Sequence, residues 1–157
     1  MEEIASANRI FITGAGREGI AARGFAMRLM HLGKEVHWLW DDTTPGMKPG
    51  DLFIAINGSG SIGHIDYLLD QSGRTGARRL VITGAPKERT PSEAEACLFV
   101  PAMVYKGNDP RTIPSTQPMG NLFEQHLFLL FDLLAMMLMD RLRETHETME
   151  ARHRNIE

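Results

Sequence analysis

The sequence predicts an α/β fold in three layers, a five-stranded parallel sheet with helices on both faces. Three observations carry this. Short β-branched and aromatic runs alternate with longer amphipathic stretches, the order of strand–helix–strand units. Two of the runs end in glycine-rich turns, "GAGREG" and "NGSGSIG", where a buried strand hands over to a helix. A long apolar segment follows the last strand.

Taken in order, "RIFITGAG" (9–16) is a buried strand by its length and its closing glycines. "REGIAARGFAMRLMHLG" (17–33) is a helix that sets Ile20, Phe25, Met27, Leu29, Met30 and Leu32 mostly on one side and stops at Gly33. "KEVHWLW" (34–40) is the second strand, followed by the polar loop "DDTTPGMKPGD". "LFIAIN" (52–57) is the third strand and "IGHIDYLLDQSGRTG" (62–76) a helix. "RRLVITG" (78–84) and "CLFVPA" (97–102) are the fourth and fifth strands, separated by a loop with one helical turn. Residues 103–118 hold three prolines and no periodicity, so they form an ordered loop or a lid. From Met119 to about His146 the chain reads as one helix, apolar nearly all round in its middle. Such a helix is buried on more than one side, as between subunits, so a homo-oligomer is expected.

Composition narrows the function. The 157 residues fit one domain, 1–157, and 43% hydrophobic with 24% charged residues is ordinary for a globular protein. A net charge of −3 leaves no basic surface for nucleic acid or an anionic membrane. Cys97 is the only cysteine, so no intrachain disulfide forms and a reducing, cytoplasmic setting is expected. In "ACLFVPA" it reads as a small buried apolar group. The first residues lack the pattern of a signal peptide. The run "LFLLFDLLAMMLM" (127–139) falls short of the roughly 18 residues of a membrane span, and Asp132 interrupts it, so no membrane anchor is expected. Neither a metal site nor a cofactor is called for.

In a parallel sheet, ligands bind at the carboxyl ends of the strands where the strand order reverses. Both glycine turns lie at that edge, and either could aim backbone N–H groups at an anion. Gly14, Gly16 and Gly19 match G-x-G-x-x-G, and Asp41, 22 residues past Gly19, ends the second strand. That pattern admits a nicotinamide dinucleotide. A second glycine turn and the short chain speak against it, and the glycines could equally serve tight turns alone.

"GAGREGIAARGFAMRLMHLG", "TTP", "GDLFIAINGSGS", "PMGNLFEQ" and "MEARHRNIE" resemble the 6-phospho-3-hexuloisomerase branch of the sugar isomerase (SIS) domain family, from about residue 9 to the C-terminus. The resemblance implies a flavodoxin-like fold, dimers of dimers, and interconversion of a 3-hexulose 6-phosphate with fructose 6-phosphate. Family members usually begin with a longer helix than this chain has room for.

Isomerisation moves a carbonyl to the next carbon through an enediol and needs one base that removes and returns a carbon-bound proton. Glu124 matches the family glutamate proposed for that role; the alternative is a carboxylate that only favours the start of a helix. His153 matches a histidine near the family's C-terminus and would shuttle a proton or polarise the carbonyl, in a site completed by a neighbouring subunit. A solvated, frayed tail is the other reading. Arg28 and His31 share a helix face, and Thr43 and Thr44 sit in a loop at the ligand edge; Arg28 and the threonines are candidate sugar contacts.

The family holds phosphate with a hydroxyl in the first turn and the Ser and Thr residues of an SGSGxT-like second turn. Here Glu18 stands at the first-turn position beside Gly16, Asn57 replaces the leading Ser, Ser59 is kept, and Ile62 replaces Thr, with Ser61 an extra hydroxyl. A carboxylate 4 Å from a phosphate is repelled by about 4 kcal/mol at an effective dielectric of 20. Arg17 beside Glu18 would neutralise it, or Glu18 would accept hydrogen bonds from sugar hydroxyls. Three readings follow: an isomerase with an atypical phosphate site or an unphosphorylated or acidic sugar substrate, a non-catalytic sugar-binding or regulatory module, and a nicotinamide enzyme.

Overall fold

A computed structural model describes residues 1–107 and 109–156, so Asn108 of the long loop and Glu157 of the closing word lie outside the described residues. Five strands, β1 (Arg9–Gly14), β2 (Glu35–Trp38), β3 (Leu52–Ile56), β4 (Arg78–Thr83) and β5 (Ala96–Phe99), form one parallel sheet in the order β2-β1-β3-β4-β5. The helices are α1 (Glu2–Ser6), α2 (Gly16–His31), α3 (Gly63–Gly73), α4 (Arg89–Ser92), α5 (Asn121–Leu142) and α6 (His146–Glu150).

Alternation along the strands builds two cores. Ile10 and Ile12 of β1, with Leu52, Ile54 and Ile56 of β3, face a cluster with Phe25 and Leu29 of α2 and Phe123, Leu127 and Phe131 of α5. Phe11, Phe53, Ala55 and Val81 face the other way, onto Ile65 and Leu69 of α3. Both faces of the sheet are therefore covered, as the alternation of strands and helices requires. At the sheet's other end, Asp51 accepts Arg9 Nη2 at 2.6 Å and the Lys48 N–H at 2.9 Å, which ties the starts of β3 and β1 together.

Several expectations change. The apolar residues of α2 divide between two faces. Phe25, Leu29 and Leu32 are buried, while Ile20, Met27 and Met30 are exposed, because Ala21 and Ala22 take up the rest of the sheet-facing stripe. A short helix, α1, precedes β1, held by Ile4 in the core and by Lys34 Nζ donating to the carbonyls of Ala5 and Ala7. Cys97 is exposed, not buried. Its neighbour Leu98 packs on the α2–α5 side, so Cys97 turns to the opposite face of the edge strand β5.

The long closing helix is also interrupted. Met119 has φ 51° and Gly120 φ 75°, so α5 starts at Asn121; Arg143, at φ 58°, ends it and leaves α6 separate. By length and mean hydropathy the segment Pro118–Leu142 would suffice to cross a membrane, contrary to the length argument made from the sequence. Phe123, Leu127, Phe131, Ala135 and Leu138 instead make it the helix that covers one sheet face. The loop 103–118 is tied to the strand edge where it is described, with Met103 N–H to Ile113 O at 3.0 Å and Ile113 N–H to Pro101 O at 2.9 Å.

Candidate functional site

The sheet order reverses between β1 and β3, and both strands end in a glycine turn there. Gly19 in the first turn admits no larger residue, since a Cβ would run into the Gly14 carbonyl. This close packing seats α2 against the end of β1 and points its first turn across to β3. The second turn is braced from behind. Asn57 N–H bonds Ile82 O at 3.0 Å, Thr83 Oγ1 donates to Gly58 O at 3.2 Å, and Thr90 N–H bonds Gly60 O at 2.9 Å. Asn57 is fully buried, and its Nδ2 donates to Thr90 Oγ1 at 2.7 Å, while the Thr90 hydroxyl donates to Asp66 of α3. Asn57 thus holds the turn and does not present its amide to the cavity beside it. The buried chain Asn57–Thr90–Asp66 fixes the turn before any ligand arrives.

That cavity, of about 450 Å³, is lined by Gly16, Arg17, Glu18, Ser59, Lys106 and Glu124 among others. Glu18 reaches across it, and its Oε2 accepts the Gly58 N–H at 3.0 Å. A Cβ on residue 58 would overlap the Glu18 carboxyl and the Phe123 ring, so only glycine fits there. Burial pushes the Glu18 carboxyl up, the Gly58 N–H pulls it down, and the charge of Glu124 raises it again, to about 7. Arg17 does not neutralise Glu18 as the sequence suggested. Its guanidinium pairs with Glu124 and donates to Asn121 Oδ1 at 2.9 Å. Glu124 stands in the first turn of α5 with a side chain 15% exposed.

Because the folded chain binds the Glu18 proton more tightly than the unfolded chain, stability falls as pH rises from about 4.5 to about 7. Glu18→Gln keeps an acceptor for Gly58 and removes that loss. Thermal unfolding is expected to place it about 3 kcal/mol above the wild type at pH 8, with no difference near pH 4.

The remaining candidates fall elsewhere. Thr44 Oγ1 donates to Trp38 O at 2.9 Å and serves the turn after β2, while Thr43 is exposed. Ser61 is exposed on the second turn and Ser59 half-buried. His153 lies with Arg28, His31 and His146 around a second cavity of about 540 Å³ at the far end of α2. Its ring stacks on His31 at 5.4 Å. The tail that carries it is not frayed. Arg152 donates to His31 O at 2.8 Å and pairs with Glu144 at 2.8 Å, and Thr145 and Thr148 form a capping box that starts α6. Burial lowers the His31 pKa, helped by the charges of Arg28 and His153. Glu124 and His153 therefore line different cavities of the same chain.

Lys106 and Tyr105 were missed in the sequence, where they sat in an unpatterned loop. Gly120 packs against the backbone of Val104 and Tyr105, which brings both residues to the cavity rim. Among the described residues, no group of three or more His, Cys, Asp or Glu could hold a metal ion.

The SIS domain family model matches residues 3–108. A 3-hexulose-6-phosphate isomerase of Mycobacterium gastri is 35% identical over 99% of this chain and 77% of its own length. The enzyme of the same name from Bacillus subtilis is 33% identical over 99% of this chain and 84% of its own. A Methanococcus jannaschii structure, described as inferring a molecular function of 3-hexulose-6-phosphate isomerase, superposes with a TM-score of 0.85. It is 28% identical, over 99% of this chain and 82% of that one.

Proposed function

The chain belongs to the SIS domain family, and on that footing we propose that it is a phosphosugar isomerase interconverting 3-hexulose 6-phosphate and fructose 6-phosphate. One observation carries the proposal: the Glu124 carboxylate faces the same cavity as the braced second glycine turn. A phosphate seated on that turn, near the Ser59 and Ser61 hydroxyls, leaves the sugar chain to extend toward Glu124. Glu124 takes the proton from C2 and gives a 2,3-enediol. It returns the proton to C3 while the C2 hydroxyl loses its own and becomes the carbonyl. Arg17, bound to Glu124, orients the carboxylate and lines the cavity wall.

The hydroxyl protons need a second group, and His153 fills that role from a neighbouring subunit. Two features support a dimer or dimer of dimers. Leu129, Leu133, Met136 and Met137 of α5 are each more than half exposed, beside exposed Met27 and Met30 of α2. A contiguous apolar face of this kind is covered in an oligomer. Among the described residues that line it, the second cavity also carries three histidines, Arg28 and Arg154 but only one carboxylate, Glu150. In this reading residues 1–157 act as one cytoplasmic domain, with neither nucleic acid nor membrane as partner. The net charge of −3 supports that choice.

A second reading, an isomerase of an unphosphorylated sugar, is favoured by the Glu18 carboxyl lying against Gly58. The test is a coupled assay with fructose 6-phosphate and free fructose, run in D2O with NMR detection of the carbon-bound protons. Deuterium entering fructose 6-phosphate alone supports the first reading. Deuterium entering only free fructose establishes the second. Binding without exchange in either would identify a sugar-binding module.

A further inference from the structure

We propose that Glu18 holds the sugar phosphate as a neutral carboxylic acid, one oxygen accepting the Gly58 N–H and the other donating its O–H to a phosphate oxygen, so that binding takes up one proton from solution. The inference rests on the phosphosugar reading and states how its anion is held.

The geometry is that of an anion site already entered by a carboxyl group. Glu18 Oε2 lies 3.0 Å from the N–H at the head of the second turn, and the braced backbone prevents the turn from moving aside. The groups around it do not favour an ionised carboxylate next to a phosphate. From α5 it faces Glu124; from its own helix Arg17 is engaged by Glu124 and Asn121; from the loop after β5 come Lys106 and Tyr105; the second turn itself, 57–62, contains no titratable side chain. Among the described residues, Lys106 is the one cation lining the cavity apart from Arg17. An ionised carboxylate has acceptors only, whereas the neutral acid has one donor and keeps an acceptor for Gly58. An O–H facing a phosphate oxygen makes a charge-assisted hydrogen bond. The proton is available near neutrality, because burial and the Glu124 charge already hold Glu18 at about 7. A phosphate dianion raises its hold further.

The experiment is calorimetric titration with glucitol 6-phosphate, which has no carbonyl to isomerise, at about pH 8 in two buffers of different ionisation enthalpy. The ligand's phosphate is already dianionic there, so proton uptake reports on the protein. The wild type is expected to take up one proton per ligand, and its Kd to rise about tenfold per pH unit from roughly pH 7.5 to 9. Glu18→Gln and Glu18→Ser are expected to bind with no proton uptake and a Kd flat over that range. The serine variant keeps the test open should the glutamine variant not fold. Wild-type binding without proton uptake overturns the proposal and leaves the phosphosugar reading standing. Proton uptake that survives Glu18→Gln also overturns it, since the proton then goes elsewhere. Binding of glucitol but not glucitol 6-phosphate removes both.

Discussion

The Glu124→Gln variant is expected to bind sugar phosphate as the wild type does and to turn it over roughly 100- to 10,000-fold more slowly, the range for losing a positioned general base. Glutamine matches glutamate in shape and leaves an oxygen to accept from Arg17, so the start of α5 keeps its contacts. What it loses is the ability to take a proton. Entry of solvent deuterium into C2 and C3 should stop in parallel with turnover, because one group handles both carbons. Steady-state kinetics and NMR exchange check this together. A variant within threefold of wild-type kcat, with exchange intact, would falsify the assignment of Glu124 as the base.

The largest effect on stability is expected at Phe25. Its ring stacks on Phe131 with centroids 4.5 Å apart and planes 7° from parallel, and both side chains are almost wholly buried. This pair joins α2 to α5, and with it the first glycine turn to the helix that carries Glu124. Phe25→Ala removes the stacking and leaves a cavity between two helices that the sheet keeps from closing. A cost of about 3–5 kcal/mol is expected, equal to a fall in Tm of roughly 10 °C for a chain of this size. Denaturant unfolding should show the loss at an unchanged m-value. A cost below 1 kcal/mol would mean that α5 can shift to fill the gap.

Period and punctuation made the sheet readable in advance. Runs such as "LFIAIN" and "RRLVITG" are strands buried on both faces, and each ends close to where its glycine or asparagine stands. The faces of the helices were less clear. In α2, Met27 and Met30 resemble core residues as much as Leu29 does, and only the packing of Ala21 and Ala22 onto the sheet decides which side is inside. The break after Leu142 left no sign in the sequence, because Arg143 takes up a left-handed conformation that usually belongs to glycine.

At the candidate site, the residue types pointed to the two glycine turns and to Glu124, which line one cavity, but not to how they are connected. Arg17 lies next to Glu18 in sequence, and chain adjacency suggested that it would offset that charge. The helix instead sends the two side chains to different partners, Arg17 to Glu124 and Glu18 to Gly58. Asn57 looked like a ligand contact because of its place in the turn, and burial turned its amide inward to Thr90. Such choices depend on tertiary neighbours far along the chain, 33 residues for Asn57 and Thr90, 40 for Glu18 and Gly58 and 107 for Arg17 and Glu124, and no local pattern encodes them.

Helix α2 has one end in each cavity. Gly16, Arg17 and Glu18 line the first, and Arg28 and His31 the second. Sixteen residues of continuous helix make a rod of about 24 Å. Arg152 clasps its far end by the His31 carbonyl, so the tail with His153 cannot swing back along it without releasing that bond. Each chain therefore carries its two cavities at a fixed separation, like the two faces of a tile. On the proposed pairing of Glu124 with a neighbour's His153, a dimer completes every site and a lone chain none, so dilution is expected to switch the activity off without unfolding anything.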